Sequence, residues 1–330
     1  MEIRKLNYRA GWLAADYLNE TPRAITPELL QSVLPEGADA ATEEYVYTAL
    51  LAGFLGLDPE ASEEDRFIET HYLRPGVRRL ETARYLENPY YRHIQIPVLA
   101  QGGWSLAWQT YAPYELFLRD DLILTDDLRQ IPALGYFPEP FSYPSVLQDG
   151  REWMSIKPSE IESSQAAVDA AFGRVVTFGL GLGYFAYMAA RKPDVQSVTV
   201  VERDPSVIAL FRDHILPQIP EKEKISVVES DAFDYLEGQM AAVSPDFVFV
   251  DIWHDIADGT PLYVRAKQYE TRFPRTRFTY WIDRSLKCAL LDELLQRSQF
   301  GPCASLVERQ VLQTRASEGL KGSDARRKDR

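Results

Sequence analysis

Apolar and polar positions change rhythm twice along this chain. Over the first ninety residues apolar side chains recur at helical spacing, as at Tyr45, Leu50, Leu51 and Phe54. The pattern predicts helices over Tyr8–Tyr17, Thr42–Phe54 and Val77–Leu86, with breaks at Pro22, at Pro35-Glu-Gly37 and at Pro59. From Ile94 to Ile156 short β-rich runs alternate with turns rich in Gly, Pro and Asp. Ile94–Leu99, Tyr114–Leu118, Leu122–Leu124 and Trp153–Ile156 read as strands, and Asp149-Gly150 as a hairpin turn. From Pro158 helix and strand alternate. Helices are expected at Pro158–Phe172, Tyr184–Arg191, Pro205–Leu216 and Ala232–Met240, and strands at Arg174–Phe178, Ser197–Glu202, Lys224–Glu229 and Phe247–Asp251. Such alternation marks an α/β fold with a doubly wound, mostly parallel sheet covered on both faces. Beyond Pro261 the pattern reads mostly as helix, and the polar stretch Ser317–Arg330 reads as disordered. The expected organisation is a helical module over residues 1–92, a small antiparallel β region over 93–157, the α/β domain over 158–316 and a tail over 317–330.

The most specific signal is Val175-Val-Thr-Phe-Gly-Leu-Gly-Leu-Gly-Tyr184. A β-branched run enters three alternate glycines, Gly179, Gly181 and Gly183, before a helix-like segment. Glycines belong where the chain turns sharply after a strand and a ligand approaches the backbone amides. About twenty residues on, Glu202 ends the next strand, where a carboxylate meets the hydroxyls of a ribose. Ser230-Asp231-Ala232 follows the third strand and Asp251 ends the fourth. Asp231 stands where an adenine amino group would be read, though it also fits a helix cap. In a doubly wound sheet these carboxyl ends line one crevice.

Residues 174–251 resemble the S-adenosylmethionine-binding core of class I methyltransferases, and the layout is most similar to the spermidine synthase branch. A small β region precedes the core, Asp149-Gly150 resembles that branch's DG motif, and Ser230-Asp-Ala-Phe-Asp-Tyr-Leu236 resembles its GDAxxFL segment. The resemblance covers roughly residues 145–265 and implies S-adenosylmethionine as cofactor, held by Gly179, Gly181, Gly183, Glu202, Asp231, Ala232 and Asp251. Departures weaken aminopropyl transfer. The branch's DSSDP-type motif is replaced by Asp251-Ile-Trp-His-Asp255, and Trp153 stands near the place of an expected glutamine. The acid that many methyltransferases carry just before the first glycine is missing near Thr177, so the cofactor's ammonium needs another partner, Glu160 or Asp251. Ser159 and Glu162 fit a capping box that leaves Glu160 over.

His254 and Asp255 are the catalytic candidates, since an imidazole near neutrality suits removal of a proton from an attacking atom. Trp253 could wall the pocket or stack on a cation. His254 also fits an ordinary polar loop, and methyl transfer can run on alignment alone. Seven basic residues between Arg265 and Lys287 contrast with the acidic chain and suit either an anionic substrate or a solvated helix face.

Composition narrows the classes. A length of 330 residues allows two cores, and 45% apolar with 26% charged residues is ordinary for a globular protein. A net charge of −13 argues against broad phosphate neutralisation, hence against nucleic acid as partner. No run reaches the roughly 18–20 apolar residues of a membrane span, and Met1-Glu-Ile-Arg-Lys lacks a secretion signal's apolar core. Cys288, Cys303 and four scattered histidines form no metal motif, so no metal and a reducing cytoplasm are expected. The leading reading is a methyltransferase acting on a small molecule or a protein, with the helical module suited to a homodimer. An aminopropyltransferase and a non-catalytic scaffold are the alternatives. A nicotinamide dehydrogenase fits poorly, because its fingerprint should open at Gly179, which puts Tyr184 at the sixth position.

Overall fold

A computed structural model describes residues 2–101 and 103–300, with backbone alone at 101 and 296–300. The chain divides into two compact units, Met1–Ser285 and Leu286–Arg330. Cys303 and the tail over 317–330, expected to be disordered, lie outside the described residues.

Helices Ile3–Glu20, Pro27–Val33 and Ala40–Phe54 open the first unit. Thr26 and Asp39 cap the second and third by accepting backbone N–H bonds. The helix expected over Val77–Leu86 is not continuous. Val77–Arg79 is a strand, parallel to Leu134–Tyr136, and helix resumes only at Thr82–Leu86. Leu134–Tyr136 also pairs with Phe117–Leu118. A β-branched residue beside a partner strand takes the ladder even inside a helical rhythm.

An antiparallel sheet follows, made of β1 (Leu99–Gln101), β2 (Trp104–Tyr111), β3 (Phe141–Gln148) and β4 (Arg151–Ser155), in that spatial order. Asp149 and Gly150 join β3 to β4 with φ of 49° and 79°, the paired left-handed conformation of a type I′ hairpin. Aromatic side chains fill the core of this region: Trp104, Phe137, Phe141 and Tyr143 are buried. Trp153 is different. Val146 pairs with Met154 and Leu147 with Glu152, so Trp153 is the extra residue of a β-bulge.

The second sheet contains β5 (Gly173–Phe178), β6 (Val195–Glu202), β7 (Ile225–Glu229), β8 (Phe247–Val250) and β9 (Arg277–Tyr280). Its order is β7-β6-β5-β8-β9 and every neighbouring pair is parallel. This is a doubly wound, Rossmann-like sheet with its reversal between β5 and β8. Val175, Val176 and Phe178 of β5 and all of β8 are buried, as expected for strands covered on both faces. The expectation of helix beyond Pro261 holds for Ile256–Lys267 but misses β9, which pairs residue for residue with β8. Among the described residues, no helix is long and apolar enough to cross a membrane.

Candidate active site

Register brings the strand tips level. Phe178 lies opposite both Val201 and Val250, and Glu202 opposite Glu229. Past those pairs the ladder continues: Gly179 donates its N–H to Val201 O at 2.9 Å, Asp251 to Phe178 O at 2.9 Å and Ser230 to Glu202 O at 3.0 Å. Gly179 has a φ of 97°, and a Cβ there would stand 1.9 Å from the carbonyl oxygen of Asp251. Only glycine lets the two chains pass so close. Gly181 also lines the crevice and packs against Met154 of β4. Gly183 does not line it. A side chain there would strike the Phe211 ring at 2.3 Å, so this glycine serves helix packing.

Glu202 is tied to the glycine loop. Its Oε2 accepts from Leu180 N–H at 3.1 Å, and its Oε1 from Arg203 and Asp204 N–H at 2.8 and 2.9 Å. A carboxylate has about four lone-pair sites, so capacity remains for further donors. Asp231 caps the helix Ala232–Gly238, its Oδ1 accepting from Phe233 and Asp234 N–H. Asp231→Ala is therefore expected to cost about 1 kcal/mol of stability, and Asp231→Asn to retain most of it, as read by urea denaturation. Glu202, Asp231, Ala232 and Asp251 all line one cavity.

Glu160 joins them from the first turn of the helix Pro158–Ala170. The capping box expected around it is absent. Lys157 is the N-cap and its side chain makes no capping bond, while Glu162 accepts from Tyr85 at 3.0 Å and pairs with Arg84 at 2.8 Å. Glu160 itself is only 8% exposed, with a long 3.4 Å bond from Ser164. Burial pushes its carboxyl up to about 7, against smaller opposing effects of Ser164 and Lys157. Asp251 keeps some surface on the cavity. Burial, then the neighbouring Glu160 and Glu202 charges, still hold its carboxyl well above the usual range. Among the described residues no Lys or Arg forms an ion pair with Glu160, Asp251 or Glu202.

The segment after β8 forms the facing wall. His254 lines the cavity, its ring edge-on to Trp153 with centroids 4.1 Å apart and its Nδ1 3.3 Å from Asp258 Oδ2. Asp255 is the N-cap of the helix Ile256–Lys267 in a reciprocal capping box with Asp258. That structural duty occupies Asp255, whereas Asp258, which sequence reasoning missed, holds the imidazole. The D-x-x-D spacing of Asp255 and Asp258 was its available signal. Trp253 is buried and walls the cavity, with an indole N–H that has no partner among the described residues.

The basic segment stays out of the cavity. Arg265 lies over the Phe233 ring at 3.7 Å, Lys267 pairs with Glu270 at 2.7 Å and Arg284 meets Asp120 at 3.3 Å. An anion-collecting role for this run is not what its contacts support. The cavity measures about 1210 Å³ and also reaches Trp281, Asp120 and the helix Ile3–Glu20. No group of three potential metal ligands occurs among the described residues.

No protein-family model matches the chain, and no curated protein does. Among solved structures, it is similar to a protein from Klebsiella pneumoniae provisionally described as an O-methyltransferase, at 20% identity and a TM-score of 0.27, covering 35% of this chain and 49% of that one. It is also similar to cofactor-bound Rv0187 from MTB, at 20% identity and a TM-score of 0.29, covering 42% of this chain and 66% of the other. The chain thus spans about half of the first protein's length and under two thirds of the second's. The fold is defined by the strand order and register of the parallel sheet itself.

Proposed function

We propose that this chain is an S-adenosylmethionine-dependent methyltransferase. One observation carries the reading: Glu160, Asp251 and Glu202 gather beside a glycine loop at the reversal point of the sheet without an ion-pair partner. Buried charges of one sign are retained where a ligand of the other sign completes them. The ligand that fits carries ribose hydroxyls for Glu202 and an ammonium for Glu160 and Asp251. Asp231, which caps its helix through Oδ1, keeps Oδ2 for the amino group of adenine. Bound there, S-adenosylmethionine supplies an electrophilic methyl group on a positively charged sulfur.

The chain's own residues then have separable tasks. The carboxylates hold and orient the cation, and Trp153 and Trp253 shield the crevice from water. With Nδ1–H of His254 donating to Asp258, Nε2 keeps a lone pair and can take a proton from the acceptor. Most of the rate enhancement expected here comes from alignment.

Calorimetry with S-adenosylmethionine and S-adenosylhomocysteine tests the reading. Saturable binding is expected for both, and turnover with at least one amine, hydroxyl or thiol acceptor. Absence of both heat and thermal shift overturns it, and binding without turnover across those acceptors points to a non-catalytic scaffold. One observation favours aminopropyl transfer as second reading. The tail end of the site offers two carboxylates, and of the basic side chains lining the cavity, Lys157 is engaged by Glu152 at 2.5 Å. A cofactor whose tail lacks a carboxylate suits that balance, and decarboxylated S-adenosylmethionine would then bind more tightly than the parent.

A further inference from the structure

The cavity is larger than the roughly 300–1,000 Å³ typical of a single small-molecule site, and its far part differs chemically from the strand tips. Away from the strand-tip carboxylates it runs past Trp281 and Ile282 to a mostly apolar lobe where Leu18, Leu116, Phe117 and Ala133 stand with Asn7 and Glu115, the latter paired with Arg23. Gly11 opens this lobe. It sits in the middle of the helix Ile3–Glu20, where glycine is the weakest choice after proline. Nothing lies within 4 Å of where its Cβ would be. Neither backbone conformation nor crowding asks for glycine, and what the missing side chain leaves is cavity space.

The charge along the wall is one-sided. Among the described residues ten lining side chains are Asp or Glu, whereas Lys157 and Arg203 are the lining Lys and Arg. Between the strand tips and the lobe stand Asp120 and Asp121, both paired with the Arg284 guanidinium at 3.3 and 3.4 Å, so the unpaired negative charge is that of the strand-tip carboxylates. An anionic acceptor would meet repulsion from Glu160, Asp251 and Glu202, which have no ion-pair partner among the described residues, while a protonated amine would be drawn in.

Resting on the methyltransferase reading, we infer that the acceptor is an amphipathic amine. Its apolar body lies in the lobe beside Gly11 and its basic nitrogen reaches the Trp153–His254 wall. Apolar burial sets affinity through body length, and the acidic wall sets the sign of the head group.

Calorimetry of the full chain saturated with S-adenosylhomocysteine, titrated with butylamine, octylamine and octanoate, tests this. Octylamine is expected to bind roughly 250-fold tighter than butylamine, from about fourfold for each of four buried methylenes, and at least about tenfold tighter than octanoate. Gly11→Phe fills the lobe and should remove the dependence on chain length, with a melting temperature at or above that of the unaltered protein showing that it folds. Equal affinity for butylamine and octylamine, equal affinity for octanoate, or an undiminished length dependence in Gly11→Phe each overturns the inference. Failure of S-adenosylhomocysteine itself to bind is a separate result that strikes the methyltransferase reading instead.

Discussion

Replacing Glu160 with glutamine is expected to stabilise the ligand-free protein at pH 8 while weakening its hold on the cofactor. The Glu160 carboxyl is raised by burial from an ordinary 4.5 to about 7. A raised folded value means that the native state keeps a proton the unfolded chain has already released. That stability is complete below about pH 4.5 and is lost as the pH climbs through about 7. The shift corresponds to about 3 kcal/mol. Asp251, raised in the same direction, adds to the loss. An amide of the same shape carries no charge to bury, so Glu160→Gln should gain about 2 kcal/mol at pH 8 and little at pH 5. Its affinity for S-adenosylmethionine should fall about 10- to 100-fold, because one of two anions facing the ammonium is gone. Guanidinium unfolding at the two pH values, with and without ligand, gives all four quantities. If the unaltered protein is equally stable at pH 5 and pH 8, the buried carboxylates are not strained and the idea falls.

The second large effect is expected at Gly179. Alanine there adds a Cβ 1.9 Å from the Asp251 carbonyl oxygen, at a φ of 97° that side chains rarely adopt. Neither strand can yield alone, since Gly179 and Asp251 are pinned by ladder bonds to Val201 and Phe178. Gly179→Ala should cost roughly 3–5 kcal/mol and, by displacing the Asp251 backbone, abolish detectable cofactor binding. Gly150→Ala is the internal comparison. Its φ is 79° but nothing crowds it, so about 1 kcal/mol is expected. Similar losses at the two positions would show that the close approach at the sheet reversal has no energetic weight.

Both predictions rest on a region whose outline was readable in the chain. The runs ending at Phe178, Glu202, Glu229 and Val250 are apolar, β-branched or aromatic, and bounded by glycine or a capping acid, so local preference and final structure agree. Where they diverge, the cause is a distant partner. Arg277–Tyr280 is short and edged by basic residues, and only pairing with β8 makes it a strand. Ser159 and Glu162 have the spacing of a cap, but Pro158 starts the helix and Glu162 is claimed by Arg84 and Tyr85 from outside it. The basic run was visible as charge, yet aromatic rings and acids beside Arg265, Lys267, Arg272 and Arg284 engage four of its seven members. In the site, Glu202 and Asp251 could be placed from strand ends. The pairing of Glu160 with Asp251 depends on how the helix Pro158–Ala170 meets the sheet, which no spacing along the chain encodes.

The bulge at Trp153 bears on how such a pocket can change over evolutionary time. A regular strand shows alternate side chains to one face, but here Trp153 and Met154 are consecutive and both reach the cavity. Removing one residue from this hairpin would shift the register and withdraw one of the two positions, while a point substitution changes the side chain and leaves both positions facing the cavity. Insertions and deletions at this turn, rather than residue swaps, are then the natural route to reshaping the chamber.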